Sequence, residues 1–178
     1  MVSDCRGYEE REQIHGHSNR LPFLYKTRIR IVFMVMNNNR ALHGMGVGLY
    51  MQEHAALIGL DPIDAFYVGW LHDAGYAFGD NRTHAELGGD ALASLGFRYA
   101  DVIRKHGTLA GLDTPMGVLL NIADMTIDGK GDTVGFDGRL ADIANRYGET
   151  SSQYRNAAMV INALRDTEEY DLMTMHMQ

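Results

Sequence analysis

Hydrophobic and polar positions from Leu21 onward are punctuated as a succession of helices. Pro22 suits a first helical turn, and the stretch through Met36 is apolar enough to be buried before Asn37-Asn38-Asn39 interrupts it. A second helix over about 40–58 carries Leu42, Val47, Leu49, Tyr50 and Leu57, and Gly59 fits its C-terminal stop. Asp61-Pro62 then opens a third, with Asp as cap and Pro in the first turn. Its body, AFYVGWLH, is apolar nearly all round, which predicts a central position, with Gly75 as its stop. Thr83-His84-Ala85-Glu86 has the spacing of a capping box leading into LGGDALASLGF. Further helices are expected over 99–106, ending at Gly107, from Asp113-Thr114-Pro115 to about 127, over 134–147, and from Ser151 to about 169. No strand-like alternation of any length and no internal repeat interrupts this pattern, so the expected class is all-α.

Length places these helices in one domain. The chain has 178 residues, long enough for a real core. Residues 1–20 are polar and without sustained periodicity, so a flexible extension is expected there, followed by a helical domain over 21–178. His15 and His17 fall in that extension and read as solvated. The longest apolar run, Ile29 to Met36, falls far short of the roughly 20 residues needed to span a bilayer, so no membrane association is expected. Without an apolar signal core in the first twenty residues, secretion is not expected either. Cys5 is the single cysteine and makes no internal disulfide, which suits a reducing cytoplasm. A formal charge of −7 argues against a broad nucleic-acid surface, because phosphate backbones are bound by surplus Lys and Arg. It is compatible with a small phosphorylated partner held where metals and a few local cations reverse the sign. The apolar 29–36 stretch suits core or subunit surface equally, which leaves a homo-oligomer open.

Six residues carry the candidate chemistry: His43, His72, Asp73, His84, His106 and Asp124. Neutral imidazoles and ionised carboxylates hold divalent metals, and helices can aim several at one point. His72-Asp73 ends an apolar helix, where the helix dipole favours a cation, and His106 stands at a similar place before Gly107. His43 lies beside Gly44 and Gly46, which leave room for close approach. Asp124 is the most informative: it sits in the apolar run GVLLNIADMTI with no Lys or Arg within a helical turn on its own helix. A buried carboxylate needs a cation, either a metal or an arginine from elsewhere such as Arg40 or Arg104. His54 lies about three turns beyond His43, too far to join the same cluster, and His176 in MTMHM reads as incidental.

This pattern resembles the HD-domain superfamily of metal-dependent phosphohydrolases over about residues 40–130. The matching segments are Arg40-Ala-Leu-His43, Leu71-His72-Asp73, Thr83-His84-Ala-Glu-Leu-Gly, Arg104-Lys105-His106-Gly and Ile122-Ala123-Asp124-Met125. The resemblance implies a helical bundle with a metal at its centre, held by His43, His72, Asp73 and Asp124. His84 and His106 correspond to the added ligands of two-metal members, among them bacterial enzymes that cleave diadenosine tetraphosphate symmetrically. The implied cofactor is one or two divalent ions drawn from Fe, Mn, Zn, Co and Ni. The implied activity is hydrolysis of a phosphate ester or anhydride of a small molecule, such as a nucleotide, by metal-activated water, with Asp73 bridging the ions. Arg40, Arg82, Lys105 and Lys130 are candidate partners for phosphate oxygens, Arg40 and Lys105 foremost. The chain departs from the family at Tyr76, where many members carry a lysine three residues after the His-Asp pair. Two other functions use the same ligands: a dinuclear-iron oxygenase, and a metal- or ligand-binding module without turnover.

Overall fold

The computed structural model describes residues 38–78 and 84–175. The expected extension, the apolar segment before Asn37, Arg82, the Thr83 cap and His176 lie outside them. Among the described residues the architecture is all-α, and the sole β feature is an isolated antiparallel bridge between Ile127 and Thr133. No described helix is long and apolar enough to cross a membrane.

The helix ends follow local chemistry. Helix α1 spans Asn38–His54 and continues through a 3-10 turn, Ala55–Ile58, to Gly59 in the left-handed region at φ 74°. Helix α2, Pro62–Leu71, begins where the Asp61 carboxylate accepts the Ile63 and Asp64 N–H groups. It ends before Gly75, which sits instead in a 3-10 turn, Ala74–Ala77. Helices α3 (His84–Ser94) and α4 (Ala100–Lys105) pack together, and α5 (Pro115–Asp124) is capped by the Thr114 hydroxyl. Helix α6 spans Gly135–Tyr147. The single helix expected from Ser151 to about 169 is two: α7, Ser152–Leu164, and α8, Glu168–Met175. Thr167 makes the break, its hydroxyl donating to the Leu164 carbonyl and accepting the Tyr170 N–H.

The central element is α5, not α2. Every residue from Met116 to Asp124 is buried, and Leu119, Leu120 and Ile122 join Val160, Ile161 and Leu164 of α7 in the core. Each such side chain contributes about 1.5–3 kcal/mol by leaving water. In α2 only Ala65, Val68, Gly69 and Leu71 are buried; Ile63 is exposed and Phe66, Tyr67 and Trp70 are half-buried. The continuous apolar look of α2 therefore reflects an aromatic outer face. Its inner face is made of small residues because α1 crosses it closely. A Cβ on Gly69 would stand 2.8 Å from the Gly48 Cα, and one on Gly48 would stand 2.9 Å from the Phe66 carbonyl oxygen. Glycine costs helix propensity at both positions, and what it permits is the approach that carries His43 of α1 to the end of α2.

Candidate metal centre

All six sequence-predicted ligands converge, and most stand at helix ends. His43 lies in the early turns of α1, His72 follows the last residue of α2, and Asp73 comes next. His84 opens α3, His106 follows α4, and Asp124 closes α5. His43, His72, Asp73, His106 and Asp124 are buried and His84 is half-buried. Gly75 sets the place of His84: a Cβ there would stand 1.7 Å from the His84 carbonyl oxygen, so only glycine lets α3 start against this turn.

Backbone carbonyls decide which face of three of the imidazoles looks inward. His43 Nδ1 donates to the Asp128 carbonyl (2.9 Å), His72 Nδ1 to Gly69 (2.7 Å) and His106 Nδ1 to Ile103 (2.6 Å). A carbonyl can only accept, so in each neutral ring Nδ1 carries the proton and Nε2 the lone pair. The carbonyl that holds His43 belongs to the loop after α5. That loop reaches α1 because Gly46 faces Gly131, where a Cβ would meet the Gly131 oxygen at 2.7 Å. Asn121, fully buried, accepts the Gly107 N–H at 2.8 Å and so secures the turn that follows His106.

The inward atoms are electron-rich and face one another. His43 Nε2 stands 3.1 Å from Asp124 Oδ1, and His84 Nε2 stands 3.1 Å from His106 Nε2. Asp73 Oδ1 lies 3.4 Å from His72 Nε2, 3.4 Å from His84 Nε2 and 3.8 Å from His106 Nε2. His72 Nε2 is also 3.9 Å from Asp124 Oδ1. Two donors each about 2.1 Å from one ion are about 3.0 Å apart at right angles and about 4.2 Å apart when opposite. All six separations fall in that interval. Among the described residues His72 Nε2 is the buried side-chain N or O atom that has no hydrogen-bond partner, and an ion is what such an atom lacks. The donors therefore fit a metal. They form three overlapping groups, each with ligand atoms within 4.8 Å of one another: His43, His72 and Asp73; Asp73, His84 and His106; and His72, His106 and Asp124.

Ionisation agrees with ligation. Burial pushes the His72 and His106 imidazoles below their ordinary value, so both stay neutral. Burial alone would raise the Asp73 carboxyl, but His72, His43, His84 and Arg40 around it outweigh that and hold it below the usual carboxylate range. Asp124 is likewise held well below, burial being outweighed by the close His43 imidazole and by the charge of Arg139. Each carboxylate has its own guanidinium: Arg40 Nη1 is 3.1 Å from Asp73 Oδ2, and Arg139 Nη2 is 3.2 Å from Asp124 Oδ1.

Arg139 was not anticipated; the sequence pointed to Arg40 or Arg104 for Asp124. Arg40 serves Asp73, and Arg104 pairs at the surface with Asp90 and Asp101. Arg139 also donates to the Asp124 carbonyl and to Asp142, which Arg146 contacts in turn. Its signal was a cation on the inner stripe of α6, between buried Phe136 and Ile143.

A cavity of about 280 Å³ opens beside the donors, bordered by Asp73, His84, His106 and Asp124 and walled by Arg40, Arg139, Arg146, Tyr147, Gln153 and Asn156. Tyr76, three residues after Asp73, stacks on His84 (centroids 4.2 Å apart) and lies under the Arg40 guanidinium at 3.6 Å. Lys105, expected near phosphate, does not border the cavity; it points to the surface between Asp101 and Asp113. Hydrogen bonds to those carboxylates push its ammonium up to about 12. Lys130 is exposed, and its backbone N–H, bonded to the Asp128 carboxylate, is what shapes the loop. His54 is bonded to the Tyr50 carbonyl and stacked on its ring, apart from the centre.

No protein-family model, curated protein or solved structure matches this chain. The reading of the centre rests on its own chemistry.

Proposed function

We propose that this chain is an HD-type, metal-dependent hydrolase of phosphate esters or anhydrides of a small molecule, a nucleotide being the first class to test. The observation that carries the reading is the joining of a buried His/Asp cluster, with His72 Nε2 unpartnered, to a cavity walled by three arginines. His43, His72, Asp73 and Asp124 would hold one ion; His84 and His106, sharing Asp73, would complete a second. Asp73 suits a bridging place because its carboxylate lies among His72, His84 and His106. Bound there, a divalent ion supplies Lewis acidity and lowers the pKa of water toward neutrality.

The chain's own groups do the rest. Arg40 and Arg146 bring N–H donors to the cavity wall, where phosphate oxygens are recognised in pairs. Arg139 fixes the Asp124 carboxylate so that it keeps its orientation without substrate. Tyr76, its phenol pushed up by burial and by Asp73, remains protonated and lies against His84 over its full face. The iron oxygenase uses the same donors, but a guanidinium wall favours an anionic substrate.

Elemental analysis of the purified protein, with phosphate release from a nucleotide and sugar-phosphate panel, tests the proposal. One or more transition-metal ions per chain and metal-dependent release, continuing under anaerobic conditions, are expected. Turnover that stops without oxygen would transfer the centre to oxygenase chemistry. Metal without turnover would leave a binding module.

A further inference from the structure

The charges around the centre narrow the ligand further, in a way that rests on the hydrolase reading. Asp73 is matched by Arg40, Asp124 by Arg139, and Asp142 by both Arg139 and Arg146. Among the described residues three carboxylates and three guanidiniums thus cancel before any cation enters. In a centre whose two carboxylates had no arginines, the first divalent ion would be neutralised by its own ligands, and a second would only add to any surplus. Here the first is not: its two positive charges find imidazoles and carboxylates already balanced. With the charges of the described residues already matched, the group that neutralises them enters through the cavity.

We infer that the cavity selects a dianionic tetrahedral group, the terminal phosphate of a monoester, over the monoanionic phosphate of a diester. Size agrees with charge. A cavity of about 280 Å³ lies at the small end of ligand pockets. A phosphate with one organic substituent fits it more readily than one with two. Met125, Ile143 and Ala157 border the same cavity and offer that one substituent an apolar rest. In such a half-enclosed site each unit of ligand charge counts for more than it would in bulk solvent.

Methyl phosphate and methyl sulfate isolate the variable, since they share shape and size and differ by one charge above the second phosphate pKa, about 6. Calorimetric titration of the full chain at pH 8 with excess Mn²⁺ should show methyl phosphate binding at least tenfold tighter, about 1.4 kcal/mol. A smaller ratio, or no binding of methyl phosphate, overturns the inference. Arg40→Gln returns one uncancelled negative charge to the centre and should cut the ratio at least threefold. A ratio unchanged in a folded R40Q protein would also overturn it, because matched carboxylates would not be the source. Phosphate release from phenyl phosphate is scored separately. Its failure with the binding preference intact removes the hydrolase reading and leaves the charge selectivity standing.

Discussion

His43 Nε2 and Asp124 Oδ1 meet at 3.1 Å across 81 residues of chain. Neither is placed by its own helix alone. The carbonyl of Asp128, four residues past Asp124, turns the His43 ring, and Arg139 from the following helix holds the carboxylate. The meeting of these two atoms is therefore a product of the tertiary fold.

Replacing Asp124 with Ala tests the pair. Metal and activity should disappear together, and the apo protein should lose about 1.5–3 kcal/mol because Arg139, still held by Asp142 and the residue-124 carbonyl, loses a buried charged partner. Metal analysis and urea denaturation read the two effects. Full metal occupancy in D124A, or in D73A, rules out the ligand role.

His84→Ala and His106→Ala address stoichiometry. Each should lower the content from two ions toward one while His43, His72, Asp73 and Asp124 keep theirs. A wild-type protein that already holds a single ion under saturating metal would refute the dinuclear arrangement.

Acid should weaken the apo protein before the carboxylates titrate. His72 and His106 are depressed in the folded state, so below their ordinary value of 6.5 the unfolded chain binds protons that the folded chain refuses. Their contribution is present above that pH and is lost as pH falls through the depressed folded values. Asp73 and Asp124 are depressed too, and their contribution persists until pH falls below the ordinary 3.8. Urea midpoints of chelator-treated protein should drop between pH 7.5 and 5.5. In the His72→Asn, His106→Asn double variant the drop should shrink.

Gly69→Val should part α1 from α2. The added Cβ alone would stand 2.8 Å from backbone of the facing helix, where nothing yields without moving His43. A loss of about 1–3 kcal/mol or more is expected, with metal content falling alongside it. A melting temperature equal to wild type would show that the crossing is looser than described.

Lys105→Ala, by contrast, should change turnover less than twofold, since this side chain lies outside the cavity between two surface aspartates. A tenfold loss in steady-state rate would place it back at the substrate.

The six converging donors were legible in the sequence because their chemistry is locally anomalous. Asp124 sits in an apolar helix, and His72-Asp73 ends another. Arg139 escaped because its partner lies fifteen residues earlier on a different helix; only its place on an apolar stripe marked it. Lys105 misled because it adjoins His106 in sequence, whereas one step around a helix turns a side chain by about 100°. The break at Thr167 was hidden for another reason: threonine can cap a helix without Gly or Pro to announce it. Likewise α2 looked central from composition, and only the glycine crossing showed which face was inside.

The carbonyl anchors have a consequence for biogenesis. His72 and His106 are aimed by carbonyls of their own helices, but His43 is aimed by the Asp128 peptide group, which is in its proper place only once the loop after α5 has docked on α1. A newly made chain can present no more than His72 and Asp73 as neighbours, and two adjacent donors grip an ion weakly. Uptake should thus come late, filling a finished receptacle rather than nucleating its assembly, and cells starved of the ion should accumulate a shaped, vacant protein instead of debris.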